Sequence, residues 1–194
     1  NDNYLDNFID DYCADFIIEP FDVQIKLSKI AINKSPGLDS MPNWILKEMA
    51  PLIAGPVCAI FNASIRQGFV PAIWKWANVV PIPKTHPPKS LQNDLRPISL
   101  TSTLAKVLES FIGSWILDKI QPKLDNNQFG ALKGKSTSHA LVAILHKWCC
   151  ALALDAGESV RALFVDFSKA FDRVDHTLLL NKLLAYGAPC TLKK

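Results

Sequence analysis

Asp166 closes the apolar run Ala162-Leu-Phe-Val-Asp-Phe167, and it is the residue that most invites chemistry. A carboxylate at the end of a buried strand is costly without a partner. Metal-dependent phosphoryl-transfer sites place one there: hard Mg²⁺ takes oxygen ligands, and two such ions stabilise the attacking and leaving oxygens of a displacement. The same pattern also fits an aspartate that caps the turn after a strand. Phe171 and Asp172 follow closely, and Lys84 and Arg96 lie far upstream. A lysine offers phosphate a point charge and an arginine offers it a planar fork. Both residue types also serve as solvated surface charges.

The elements that must position these residues are read from periodicity and turn chemistry. The sequence predicts helices over 22–32, 43–53 and 57–67, with Gly68 as a natural C′ residue. In Lys34-Ser-Pro-Gly-Leu-Asp39, Pro36 followed by Gly37 suits a type II turn. Ala77-Asn-Val-Val-Pro-Ile-Pro-Lys84 reads as a strand that its prolines confine to an edge or bend, and a polar loop runs on through Asn93. The clearest helix is 103–121, with Leu104, Val107, Leu108, Phe111, Trp115, Ile116 and Ile120 on one stripe and Thr101 or Ser102 as cap. A loop at 122–137 leads to a helix over 138–154. A buried strand at 161–167 and a helix at 176–186, closed by Gly187, complete the chain. The class is α+β. Three segments follow: an acidic lead-in at 1–21 with a short helix through Leu5, Phe8, Ile9, Tyr12 and Phe16, a body at 22–160, and the strand-helix unit at 161–194.

Composition narrows the class. Apolar residues make up 49% and charged residues 20% of 194, as in a folded globular protein. The net charge of +3 is unevenly spread. Residues 1–60 carry nine acidic and four basic side chains, a net of −5, and residues 61–194 carry nine and seventeen, a net of +8. A basic region of that size suits a polyanionic partner. Five cysteines without a C-x-x-C spacing indicate neither a disulfide framework nor a zinc site, so a reducing, intracellular setting is expected. No basic signal-peptide start is present. The longest apolar run, Met49 to Phe61, is thirteen residues and is broken by Pro51, Gly55 and Pro56. A membrane span needs about 20, so no membrane partner is expected.

Phe164-Val-Asp-Phe-Ser-Lys-Ala-Phe-Asp172 resembles the first catalytic motif of reverse transcriptases from non-LTR retrotransposons, Jockey-like elements in particular. Other strings follow in that family's order. Lys34-Ser-Pro-Gly-Leu-Asp39 resembles its amino-terminal signature, and Val70-Pro-Ala-Ile-Trp-Lys75 and Val79-Val-Pro-Ile-Pro-Lys84 come next. Leu95-Arg-Pro-Ile-Ser-Leu100 with Lys106 and Glu109, then Gln128-Phe-Gly130 with Lys135-Ser-Thr137, complete the set. The resemblance covers about residues 22–187. It departs from the family at Leu95, where an aromatic is usual, and at Ala131-Leu132, where Phe-Arg is usual.

The resemblance implies a right-hand polymerase fold, with fingers and the start of the palm in 22–160 and a palm strand in 161–194. It implies an RNA template, a DNA primer and deoxynucleoside triphosphates as partners, with two Mg²⁺ ions as cofactors. Asp166 would bind the metals, helped by the backbone carbonyl of Phe167. Phe171 would be the steric gate against a ribose 2′-OH, and Lys84 and Arg96 would reach the triphosphate. Gln128, Gly130, Lys135, Ser136 and Thr137 would touch the template–primer backbone; Ser136 or Thr137 also suits a plain helix cap. Asp172 is expected to bond local backbone groups. As a retrotransposon protein the parent would be nuclear and cytoplasmic.

The family's site also needs adjacent aspartates in an Ala-Asp-Asp setting, and the sole Asp-Asp pair here is Asp10-Asp11. The expectation is therefore a fragment with fingers and an incomplete palm, inactive by itself, whose Lys84, Arg96 and Asp166 face one open cleft. The alternatives are a non-catalytic, domesticated nucleic-acid-binding fragment and an inert decayed product.

Overall fold

The computed structural model describes residues 16–90, 94–154 and 159–188, so most of the acidic lead-in lies outside the described residues. Helix and strand are mixed, in the order α1 (Pro20–Ser28), α2 (Asn43–Glu48), α3 (Ala50–Gln67), α4 (Ala72–Lys75), β1 (Ala77–Pro83), β2 (Leu95–Thr101), α5 (Thr103–Ile120), α6 (Thr137–Leu154) and α7 (His176–Ala185). The chain divides into two compact units, residues 1–119 with 188–194 and residues 120–187.

The first unit is built on α1, α3 and α5. Pro20 stands in the first turn of α1, where its missing N–H costs nothing, and Asp22 there complements the helix dipole. The helix packs on α3. Val23, Leu27, Ala54, Val57, Cys58, Phe61, Ala105, Val107 and Leu108 join one core. The ring of Phe61 meets Trp74 and Phe111 edge-on, at centroid distances of 5.7 and 6.4 Å. Asn62 of α3 holds the incoming chain twice: its Oδ1 accepts from the Ile18 N–H and its Nδ2 donates to the Ile18 carbonyl, both at 2.9 Å.

Sequence reading expected a break at Gly55-Pro56, yet α3 runs through both. Pro51 occupies its first turn harmlessly, and Pro56 removes one ladder bond inside the helix. The buried face that continues through Val57, Cys58 and Phe61 offsets that loss. Gly68 ends the helix as expected, in the left-handed conformation at φ 62°.

The type II turn expected at Pro36-Gly37 does not form: Gly37 does not take positive φ, and the turn comes later, the Ser40 N–H donating to the Gly37 carbonyl at 3.1 Å. The 34–39 segment is clasped to the start of α5. Gly37 lies so close to that segment that a Cβ there would sit 2.6 Å from Ser102 Cα and collide with the Ser102 nitrogen. The Ser102 hydroxyl donates to Asp39 Oδ2 at 2.5 Å, so it is spent on this clasp. Buried Asn43 donates to the carbonyls of Ala31 and Lys34, at 3.1 and 3.0 Å, and accepts from the Thr103 hydroxyl at 2.7 Å.

Strands β1 and β2 form an antiparallel ribbon, with Pro81 opposite Pro97 and Ile82 opposite Arg96. The Lys84 N–H extends this ladder to the Asp94 carbonyl at 2.7 Å. Inward-bonding positions on β1 are therefore the even ones, and Pro81, Pro83 and Pro97 all stand where an N–H would face outward. This explains how a proline-rich pair makes a ladder. Sequence reading missed β2.

The second unit holds α6 and α7 near their expected bounds. Residues 161–167 do not form the buried strand expected of them. They carry no ladder pairing, and Leu163, Phe164, Val165 and Phe167 are exposed. A strand needs a neighbour to satisfy its N–H and C=O groups, and the one ladder among the described residues is β1–β2. Among the described residues of this unit no side chain is buried.

Candidate active site

The two upstream cations share one face of the ribbon. Arg96 is paired with Ile82, and side chains alternate along a strand, so Lys84 lies on the same face as Ile82 and diagonal to Arg96. Such diagonal neighbours stand about 7–8 Å apart at their Cα atoms. Both are exposed. The loop between them is drawn in by Asp94, whose Oδ2 accepts from the N–H groups of Lys89 and Ser90 at 2.9 Å each. Sequence reading passed over Asp94, although an acid directly before a strand is a common turn signal.

Asp166 lies in the second unit, exposed and with no hydrogen-bond partner among the described residues. It therefore does not cap the turn after it. That turn spans 168–170, with Lys169 left-handed at φ 51°, and runs into a single 3₁₀ turn at Phe171–Arg173. Phe171 is 93% exposed, the most open large apolar side chain described. The local backbone bond expected of Asp172 falls instead to Asp175, whose Oδ1 accepts from the Leu178 N–H at 3.0 Å and caps α7. Position decides this, since Asp175 directly precedes the helix.

Gln128, Gly130, Lys135 and Ser136 gather in the loop before α6. Gln128 Nε2 donates to the Gly130 carbonyl at 2.9 Å, and Lys135 Nζ donates to the Asn126 carbonyl at 2.6 Å while standing 5.4 Å from the Phe129 ring centroid. Ala131, where the sequence departs from the family pattern, is left-handed at φ 60°. The Ser136 hydroxyl accepts from the His139 N–H at 3.3 Å, so Ser136 is the cap of α6 and Thr137 its first residue. This sets the Gln128 amide and the half-buried Lys135 ammonium, each bonded to a loop carbonyl, near the positive end of an 18-residue helix, an end that suits anions.

One carboxylate does not make a site for two divalent ions. Among the described residues no group of three or more His, Cys, Asp or Glu side chains could hold a metal ion. The donors described do not fit a Mg²⁺ pair by themselves, since Asp166 brings a single carboxylate.

The family model for reverse transcriptase (RNA-dependent DNA polymerase) matches residues 82–193. The chain belongs to the reverse transcriptase family.

Its resemblance to the non-LTR retrotransposon branch holds as well. The chain is 34% identical over 161 residues to the probable RNA-directed DNA polymerase from transposon BS of Drosophila melanogaster, an alignment covering 81% of this chain and 17% of the relative. It is 30% identical over 167 residues to the corresponding protein of transposon X-element, covering 85% and 18%. To the RNA-directed DNA polymerase from mobile element jockey it is 26% identical over 197 residues, covering 93% and 21%. The chain thus spans about a fifth of the length of these relatives. No described helix is long and apolar enough to cross a membrane.

Proposed function

We propose that this reverse transcriptase segment supplies the fingers and the first part of the palm of an RNA-directed DNA polymerase. That enzyme copies an RNA template by extending the 3′-OH of a DNA primer with deoxynucleoside triphosphates. The observation that carries the reading is the ordered motif set ending at Asp166, in a chain that matches the family over 82–193. The exposed carboxylate of Asp166, without a hydrogen-bond partner among the described residues, supports it, since a metal ligand must not be spent on a structural bond.

In this reading Asp166 and the Phe167 carbonyl are two of the oxygen donors for Mg²⁺. The remaining carboxylates belong to other parts of the parent protein. Bound there, the metal pair would supply charge stabilisation at the α-phosphate. Lys84 and Arg96 hold the triphosphate from one face of the ribbon, which the shared register supports. Phe171 closes the sugar pocket against a 2′-OH. Gln128, Gly130, Lys135, Ser136 and Thr137 meet the template–primer backbone at the start of α6.

Primer extension on an RNA template tests this. The parent protein is expected to add deoxynucleotides with Mg²⁺ and to stop when the metal is chelated. Phe171→Ala in that protein is expected to admit ribonucleotides. Binding without extension by the parent would favour the non-catalytic reading.

A further inference from the structure

The first unit contains a cationic cleft that lies apart from every motif residue assigned to the nucleotide. Its volume is about 400 Å³. Lys26 of α1, Lys29 just past its end, Lys34 of the 34–39 segment and Lys106 of α5 line it, and no carboxylate does. Three separate segments therefore bring four lysines together.

Like charges do not gather in this way without cost. Lys26 is half-buried, its Nζ donating to the Ser110 hydroxyl at 2.6 Å and standing 4.0 Å from the Phe111 ring centroid. Burial holds its pKa below the ordinary lysine value, against the opposing pull of Asp22. The other three lysines are exposed at the rim. Ile30, Ala31 and Val107 add apolar surface, and Ser35 and Ser110 add hydroxyls. The buried Asn43 and Thr103 bonds behind the cleft fix the segment that presents Lys34.

We infer that this cleft binds successive phosphates of a nucleic-acid strand, as a second contact remote from the ribbon that bears Lys84 and Arg96. The choice of a nucleic acid rests on the polymerase reading. The choice of a strand over a single ion rests on the cleft itself. Four cations spread over three elements exceed what one phosphate needs, and the apolar lining suits sugar and base faces between phosphates.

The test is binding of the full 194-residue chain to fluorescent 12-nucleotide RNA and DNA strands, read by anisotropy across a salt series. Lys29→Gln, Lys34→Gln and Lys106→Gln are combined in one variant. Lys47→Gln, Lys75→Gln and Lys182→Gln form a charge-matched control, and circular dichroism checks that both variants melt like the parent chain. The cleft variant is expected to bind about tenfold more weakly at low salt. Its slope of log affinity against log salt should fall by about 2, near 0.7 for each of three lost contacts on a single strand. The control should stay within about threefold of the parent chain. Equal losses in both variants, or no loss in the cleft variant, would overturn the proposal. Displacement of RNA by inorganic phosphate beyond that by chloride at matched ionic strength would also overturn it, in favour of a single-ion site. Primer extension by the parent protein judges the polymerase reading separately, so the two can fail independently.

Discussion

Phe61 closes the apolar run Val57-Cys-Ala-Ile-Phe61 and Phe164 stands in the apolar run Ala162-Leu-Phe-Val165, yet the first is 0% exposed and the second 78%. The contrast is general. The first unit closes a core around α1, α3 and α5, while the described part of the second has no buried side chain. Apolar pattern announces that a residue wants cover, but not which segment will provide it. In the first unit the cover comes from residues within the same unit. In the second, the segment bearing Asp166 has no described strand to pair with, and its phenylalanines stay open. The region that resembles a catalytic motif most closely is thus the one least held by its own surroundings.

That comparison can be broken by mutation. Phe61→Ala should cost about 3–5 kcal/mol, the range for emptying a packed aromatic site, and urea unfolding followed by tryptophan fluorescence would measure it. Phe164→Ala, at a side chain 78% exposed, should change the same midpoint by less than about 0.5 kcal/mol. A large loss at Phe164 would show that the second unit has a core of its own.

A smaller effect sharpens the account of the first unit. Gly37→Ala should cost about 2 kcal/mol, because the new methyl meets the Ser102 backbone, which cannot swing aside as a side chain can. Asp39→Ala, which removes the carboxylate bonded by the Ser102 hydroxyl, should cost about 1 kcal/mol. Chemical denaturation of both variants would show whether the 34–39 segment is held by close approach more than by its hydrogen bond.

The cysteines report the contrast without altering stability. Cys58 is buried, and burial, with Glu19 adding, pushes its thiol above the ordinary value. Cys149 and Cys150 on α6 are exposed. The thiolate is the reactive form, so alkylation of the native chain at neutral pH should label Cys149 and Cys150 well before Cys58. Peptide mass spectrometry over time would read the order.

Helices were legible from apolar spacing with a cap or a stop at the end: α5 ends within a residue of its expected bound, and α7 likewise. Proline misled twice. It suggested a break in α3, where burial outweighs one missing bond, and it hid β2, where Pro97 sits at an outward-facing position. The strand at 161–167 was misread for a different reason, since pairing is a long-range property that local sequence does not contain. Of the candidate site, the clustering of Gln128, Gly130, Lys135 and Ser136 was legible because they are neighbours in sequence. The shared face of Lys84 and Arg96 was not, because it depends on the register of a strand that had been missed. The structural partners Asn43, Asp39 and Asp94 carry no catalytic signature, and folding alone reveals them.

The proposed function stands on Asp166 serving as a metal ligand of a polymerase and not as a surface acid. Primer extension by the parent protein carrying Asp166→Ala, beside a filter-binding assay of the same variant on primer-template, tests it most directly. Synthesis is expected to be abolished while most binding survives, because a carboxylate that serves the metals makes none of the backbone contacts. Undiminished extension by the Asp166→Ala protein would contradict it.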